Sequence, residues 1–372
     1  MMDWPDWLAN MRGKLRAAGL DDAALAALLP LPEVLEKDRA QAEFTLTMQD
    51  YLARVVTEAR IAPGRAMLGV HAGLLDRIER AYGVGRHILV AIWGVETHYG
   101  AMRGDVPLIA ALATLAHDRR RADFFEGELW AALRMAAQAG IDPASLRGSW
   151  AGASGHVQFM PSSVLTHGVD FDGDGRIDLW GEDPGDALAS AAAYLAGHGW
   201  TAGREVFSEA TLGAGFDHGS SGKDHLRPIA YWQGAGVIPD NTEWLDPVEQ
   251  ASLVLPAGAA GPAFLWRSNA RVLARYNASD SYVAAVAILA ERLQGLPERD
   301  LVWPKVDRTL NRSEMQALQL ALAARGHDPG AADGRMGPNT ARALKDWQRS
   351  GGLVADGYAN ADMLARLTAK AR

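Results

Sequence analysis

Between Asp3 and about Gly199, apolar positions recur at helical spacing. The segments WLANMRGKLRAAGL, LLDRIERAYGV and ELWAALRMAAQAG each place apolar residues three and four apart, and each is closed by a glycine of the C-cap kind. The pattern predicts a mainly α-helical first half. From Trp200 to Asn269 the text changes to Gly, Pro, Asp and Ser, with short β-like runs REVFSEATL, EQASLVLP and AFLWRS between turn signals. A small β-containing, loop-rich subdomain is expected over 200–269. Helical spacing returns in SDSYVAAVAILAERL, where Ser279 is placed to cap and Val283, Val286, Ala287 and Ala290 share an apolar face. That helix is expected to pack back on the first half.

The stretch LPERDLVWPKVDRTLN, with two prolines and many charges, reads as a linker, assigned to 297–312. A separate module is expected over 313–372. In SEMQALQLALAARG, Ser313 and Gln316 have capping-box spacing, Leu318 and Leu322 share a face, and Gly326 stops the helix. DGRMGPNTARALKDWQRSGGLVADG then gives a Gly-Pro entry, a second helix through Trp347, a Gly-Gly stop and another Asp-Gly turn. The segment predicts a three-helix module. Its DG-x-x-G and GL-x-x-DG spacings resemble the peptidoglycan-binding module attached to many cell-wall hydrolases.

Composition narrows the function. The chain has 372 residues, 48% of them hydrophobic and 22% charged, with a formal net charge of −8. No basic surplus is available to release counterions from a nucleic acid, so a nucleic-acid partner is not expected. There are no cysteines, which removes disulfides and thiol chemistry. The first twenty residues read as an amphipathic segment and not as the apolar core of a signal peptide. The most apolar windows, 187–196 and 282–290, fall short of the roughly 20 residues a transmembrane helix needs.

Within RHILVAIWGVETHYG, Leu89, Ile92, Trp93 and Glu96 follow one another at helix-face spacing, with Gly100 as the stop. A carboxyl group on an apolar stripe is hard to ionise, which suits a proton donor to a glycosidic oxygen. Downstream, AIWGVETHYG, ALATLAHDRRR, RGSWAGASGHVQFMPSS, VDFDGDGRIDLW, AAAYLAGHGW and RYNASDSYVAAVAIL appear in this order. Together they resemble the membrane-bound lytic transglycosylase B family, from about Trp7 to Leu293.

The resemblance implies a lysozyme-like catalytic core over 1–296, with added helical and small β-containing subdomains. It also implies a cell-envelope or periplasmic enzyme that acts on peptidoglycan glycan strands, cutting between N-acetylmuramic acid and N-acetylglucosamine. Position by position, Glu96 matches the catalytic acid/base. Ser149, Gln158, Phe159, Met160, Tyr194, Tyr276, Asn277 and Tyr282 match groove residues, types whose amides, hydroxyls and rings suit sugars. The family pattern GAMGYPQFMP is altered at Ser154, His156 and Val157, so substrate preference is expected to differ. The rival readings are a hydrolytic muramidase and a non-catalytic wall-binding scaffold.

In DFDGDGRID, Asp170, Asp172, Asp174 and Asp178 occupy positions 1, 3, 5 and 9 of an EF-hand-like loop, with Gly175 at the sharp turn. Arg176 is placed to contribute its backbone carbonyl. An all-oxygen set favours a hard cation, so a structural Ca²⁺ is expected, while Gly181 cannot supply the position-12 carboxylate. Asp186 matches the family's late ligand, with Glu182 and Asp183 as rivals. The irregular loop argues for a weak site.

Overall fold

Leu108 to Ala116 are all buried within the helix Leu108–His117, so this Ala- and Leu-rich segment is covered on every face. In the computed structural model, residues 3–19, 25–40, 46–241, 245–305 and 308–369 are described. The chain divides into two units, and this helix belongs to the first, residues 1–42 and 58–198. It packs on Ala122–Ala139, whose Phe125, Leu129, Ala132, Leu133 and Ala136 are buried, and on Pro32–Ala40. The helices Glu58–Val70, Ala72–Tyr82, Arg86–Thr97 and Gly185–Gly197 pack among themselves. Helical texture therefore becomes helix over much of this unit, between loops such as 149–160 and 168–184 and beside a short antiparallel ladder. There Val106 of β1 (Val106–Pro107) faces Gly148 of β2 (Arg147–Gly148).

The second unit joins residues 43–57 to residues 199–372. The helix Asp280–Leu293 is capped by Ser279 and packs on Met48–Val55, so it does return to a segment of the first half. The loop-rich region holds more order than its composition implies. Its strands are β3 (Phe207–Leu212), β4 (Arg227–Pro228), β5 (Val237–Pro239), β6 (Gln250–Val254), β7 (Pro256–Ala259) and β8 (Ala263–Trp266). Five of them form a sheet in the order β4-β6-β8-β3-β5, with Leu253 opposite Leu265 and Phe207 opposite Trp266. One cluster gathers Phe216, Ile229, Trp232, Val237, Ala251, Leu253, Ala263 and Leu265. Arg267, 1% exposed, is held by Glu249 at 2.7 Å and by Glu205 at 3.2 Å, and Arg204 also reaches Glu249 at 2.8 Å, so the buried charges compensate one another in a network.

The stretch 297–305 has neither helix nor strand, yet it is not a free tether. Arg299 binds Glu291 through two 2.8 Å bonds, reaches Asp240 at 2.9 Å, and lies over the Phe207 ring. Beyond it stand three helices, Arg312–Ala324, Pro338–Ser350 and Ala361–Thr368, around Leu318, Leu322, Leu344 and Leu367. The first helix starts earlier than its spacing suggests. Asn311, not Ser313, is the N-cap, and Glu314, not Gln316, completes the capping box. Asn311 wins because its amide oxygen accepts from Glu314 N while the Glu314 carboxylate accepts from Asn311 N.

Two buried glutamines fix the Asp-Gly turns of this module. Gln319 accepts from Gly334 N and donates to Asp333 and Arg335 O; Gln348 accepts from Gly357 N and donates to Asp356. The module is also bonded to the sheet region of its own unit. Lys345 Nζ donates to the Gly219 and Ser221 carbonyls, and Asp356 accepts from Ala259 N at 2.9 Å. Burial lowers the pKa of that ammonium, which here sits among carbonyl oxygens.

Candidate active site

Glu96 is half-buried in the last turn of Arg86–Thr97, whose Leu89, Ile92 and Trp93 are almost wholly buried behind it. Gly100 does not end this helix by itself. His98 and Tyr99 already adopt left-handed backbone, with φ of 50° and 60°, before Gly100 at 86°. Non-glycine residues pay a steric penalty there, so outside contacts must hold them. Arg60 Nε donates to Gly94 O at 3.0 Å, and its Nη2 lies 2.9 Å from His98 Nε2. The Tyr99 hydroxyl folds back to Arg60 O at 2.6 Å, its pKa pushed up to about 12 by burial. The turn carrying Glu96 is therefore anchored on both sides.

The expected groove residues fall into two groups, one per unit. Ser149 is half-buried and closes a loop, its Oγ accepting from Ala153 N while its own N–H donates to Ala153 O. Gln158 has φ of 50° and donates its amide to Arg103 O and Gly155 O, each at 3.0 Å. Phe159 is only 3% exposed and backs Tyr194, with ring centroids 5.6 Å apart, so it supports the surface from beneath. Met160 is half-buried at the N-cap of Pro161–His167. Tyr194 is half-buried and stacks on His198 at 4.2 Å. In the second unit, Tyr276 lies parallel to Tyr282, which is 2% exposed and part of the core. Asn277 is exposed, its side chain accepting from Ser279 N.

The aspartate loop brings together three of its expected ligands. Carboxylate oxygens of Asp170, Asp172 and Asp174 lie within 4.8 Å of one another. Each is also steered by a backbone N–H: Gly173 and Gly175 on Asp170, Asp174 on Asp172, Arg176 on Asp174. Asp178 instead accepts from Trp180 N and Gly181 N. Asp186, 6% exposed, binds Phe171 N and Asp178 N and closes the loop. Burial raises its pKa, and the neighbouring Asp172 and Asp170 add to the shift. Arg176 has an exposed side chain, which leaves its backbone as the relevant group. An all-oxygen cluster of mutually repelling carboxylates fits a hard divalent cation.

The transglycosylase SLT domain model matches residues 3–291, more than three quarters of the chain. This chain belongs to that family. A peptidoglycan binding domain model matches residues 311–367. Among similar proteins is the membrane-bound lytic murein transglycosylase B of Escherichia coli K12, 38% identical over 239 residues. That alignment covers 63% of this chain and spans 64% of that relative's length. The SltB3 structure from Pseudomonas aeruginosa, in complex with NAG-anhNAM-pentapeptide, matches with a TM-score of 0.94 and 41% identity. It covers 99% of this chain and 100% of that one. The Escherichia coli lytic transglycosylase Slt35 in complex with calcium matches at a TM-score of 0.67 and 34% identity, over 77% of this chain and 91% of that one.

Within this SLT-domain chain, several supporting residues escaped sequence reasoning. Arg60 acts from another helix, and Thr97, Tyr99 and Arg103, though near Glu96 in sequence, bond to partners far along the chain, so no local spacing marks their roles. His156 had a signal, because it replaces an aromatic residue of the family pattern, but its partners are set by the fold. Gly94 is a further case: a Cβ there would lie 2.6 Å from the Tyr99 hydroxyl.

Proposed function

We propose that this chain is a lytic transglycosylase that cleaves the β-1,4 bond between N-acetylmuramic acid and N-acetylglucosamine in peptidoglycan, leaving 1,6-anhydromuramic ends. The observation that carries the reading is the placement of Glu96: a half-buried carboxyl group at the end of a helix buried from Leu89 to Gly94, on a turn fixed by Arg60 and Tyr99. Glu96 first gives its proton to the glycosidic oxygen as the C1–O bond breaks. It then takes the proton of the C6 hydroxyl of the same muramic acid as O6 bonds to C1, and is restored. One carboxyl serves both steps because an intramolecular nucleophile has a high effective concentration.

In this reading Ser149, Gln158, Met160 and Tyr194 of the first unit bind sugar and Phe159 braces Tyr194; within the second unit, Tyr276 and Asn277 are the sugar-binding groups and Tyr282 backs Tyr276. Residues 1–296 form the catalytic region, 297–312 the linker and 313–372 the wall-binding module, acting in the cell envelope or periplasm. In support, SltB3, matched over its whole length, was solved with NAG-anhNAM-pentapeptide. The test is mass spectrometry of borohydride-treated digests. The expected muropeptides are one water lighter than muramidase products and resist reduction; reducible muramic acid ends as the main product would make the enzyme a hydrolase.

We also propose Ca²⁺ at the loop, held by Asp170, Asp172 and Asp174 with the Arg176 carbonyl, and with Asp178 and Asp186 closing the site. The ion supplies charge neutralisation and order, and no chemical step. Ca²⁺ at millimolar concentration is expected to raise the melting temperature of metal-stripped protein, with the rise following occupancy. Asp172→Ala with Asp174→Ala should abolish the rise. An unchanged calorimetric transition in the unmodified protein would reduce the loop to a turn.

A further inference from the structure

His156 is 3% exposed and touches both sides of the Glu96 turn. The indole N–H of Trp93, three residues before Glu96, donates to His156 Nδ1 at 3.0 Å. The hydroxyl of Thr97, the residue after Glu96, donates to the His156 carbonyl at 2.7 Å. The other ring nitrogen, Nε2, lies 2.8 Å from Gly181 O, and His156 N donates to Leu179 O at 2.9 Å. An indole nitrogen only donates and a carbonyl oxygen only accepts, so these partners dictate a neutral ring with bare Nδ1 and protonated Nε2. Arg103 Nη1 approaches Nε2 at 3.2 Å, but both are donors, and Nη1 is already satisfied by the Trp180 and Gly181 carbonyls. The fit leaves no slack, since a Cβ on Gly100 would come within 2.5 Å of the imidazole.

We infer that His156 is a positioning residue for Glu96, holding the acid's turn through its side-chain acceptor for Trp93 and its carbonyl for Thr97 while its backbone N–H is anchored on Leu179 O. The inference rests on Glu96 being the proton-transferring group. Its two side-chain bonds are separable by substitution. Asn places an amide oxygen near the position of Nδ1 and keeps the acceptor for Trp93, whereas Gln places an amide N–H near Nε2 and keeps the bond to Gly181. Phe fills the volume and keeps neither.

With soluble peptidoglycan fragments as substrate, His156→Gln and His156→Phe are each expected to lower kcat about 10-fold at unchanged KM. His156→Asn should stay within about 3-fold of the unmodified enzyme. Rescue by the smaller Asn is a result that space filling does not produce. Full kcat in His156→Phe, or a loss in His156→Asn as large as in His156→Gln, overturns the inference. A second measurement needs no activity and no variant: ¹⁵N NMR of histidine-labelled protein should show one ring locked as the Nε2–H tautomer near neutral pH. A ring assigned to His156 with its proton on Nδ1, or doubly protonated, overturns it whether or not Glu96 is the acid.

Discussion

Replacing Glu96 with Gln is expected to lower kcat by at least about 10² while leaving the fold and glycan binding in place. The amide has the same shape and still bonds, but it cannot give a proton to the leaving oxygen and recover one from the C6 hydroxyl. Both steps fail together, so no partial activity from one half of the cycle should remain. Glu96 is half-buried at a helix end, so the neutral isostere should shift the melting temperature little. The measurement is muropeptide release followed by chromatography, beside a thermal melt and sedimentation with insoluble peptidoglycan. Retained turnover in a folded variant would show that another group moves the proton. Lost sedimentation together with lost turnover would point to a binding role.

The helices of the first unit were readable because apolar periodicity and burial are the same fact seen twice. Leu89, Ile92 and Trp93 stand three and four apart and are all buried, and the glycines at 83 and 140 do terminate their helices in left-handed conformation. Boundaries were less legible where several groups compete for one role. Ser313 and Asn311 are both good caps, and what decides between them is which lies three residues before a carboxylate that reaches back. The stop of the helix carrying Glu96 differs from its sequence reading for another reason. Gly100 is the only residue of that turn for which left-handed backbone is easy, yet His98 and Tyr99 adopt it because Arg60, from another helix, holds both.

The candidate site divides along the same line. Motif residues such as Glu96, Gln158 and the loop aspartates can be proposed from sequence because their chemistry and spacing are local. Their roles as surface or support cannot, since burial depends on neighbours far along the chain. Phe159 and Tyr282 look like sugar platforms in the sequence and prove to be core. Arg103 carried no signal at all, although it accounts for two carbonyls at the end of the aspartate loop and its own carbonyl receives Gln158.

Gly94→Ala is expected to destabilise the protein by about 2 kcal/mol and to depress kcat with it. Helix propensity alone argues the other way, since alanine in a helix interior is about 1 kcal/mol better than glycine. The added Cβ, however, would sit 2.6 Å from the Tyr99 hydroxyl and 2.7 Å from two further ring atoms. The ring cannot simply swing aside. Its hydroxyl donates to Arg60 O in a half-buried setting, and its edge packs on Trp93 with centroids 5.7 Å apart. Overpacking of this kind costs about 1–3 kcal/mol, and a lost bond to a buried carbonyl about 1 kcal/mol more. Together these outweigh the propensity gain. The displaced turn is the one carrying Glu96, so activity should fall with stability. A double-mutant cycle makes the cause measurable: in a Tyr99→Ala background the clash is gone, and Gly94→Ala should become neutral or stabilising by up to about 1 kcal/mol. Equal destabilisation in both backgrounds, read from urea melts, would mean that Tyr99 is not what requires glycine at 94.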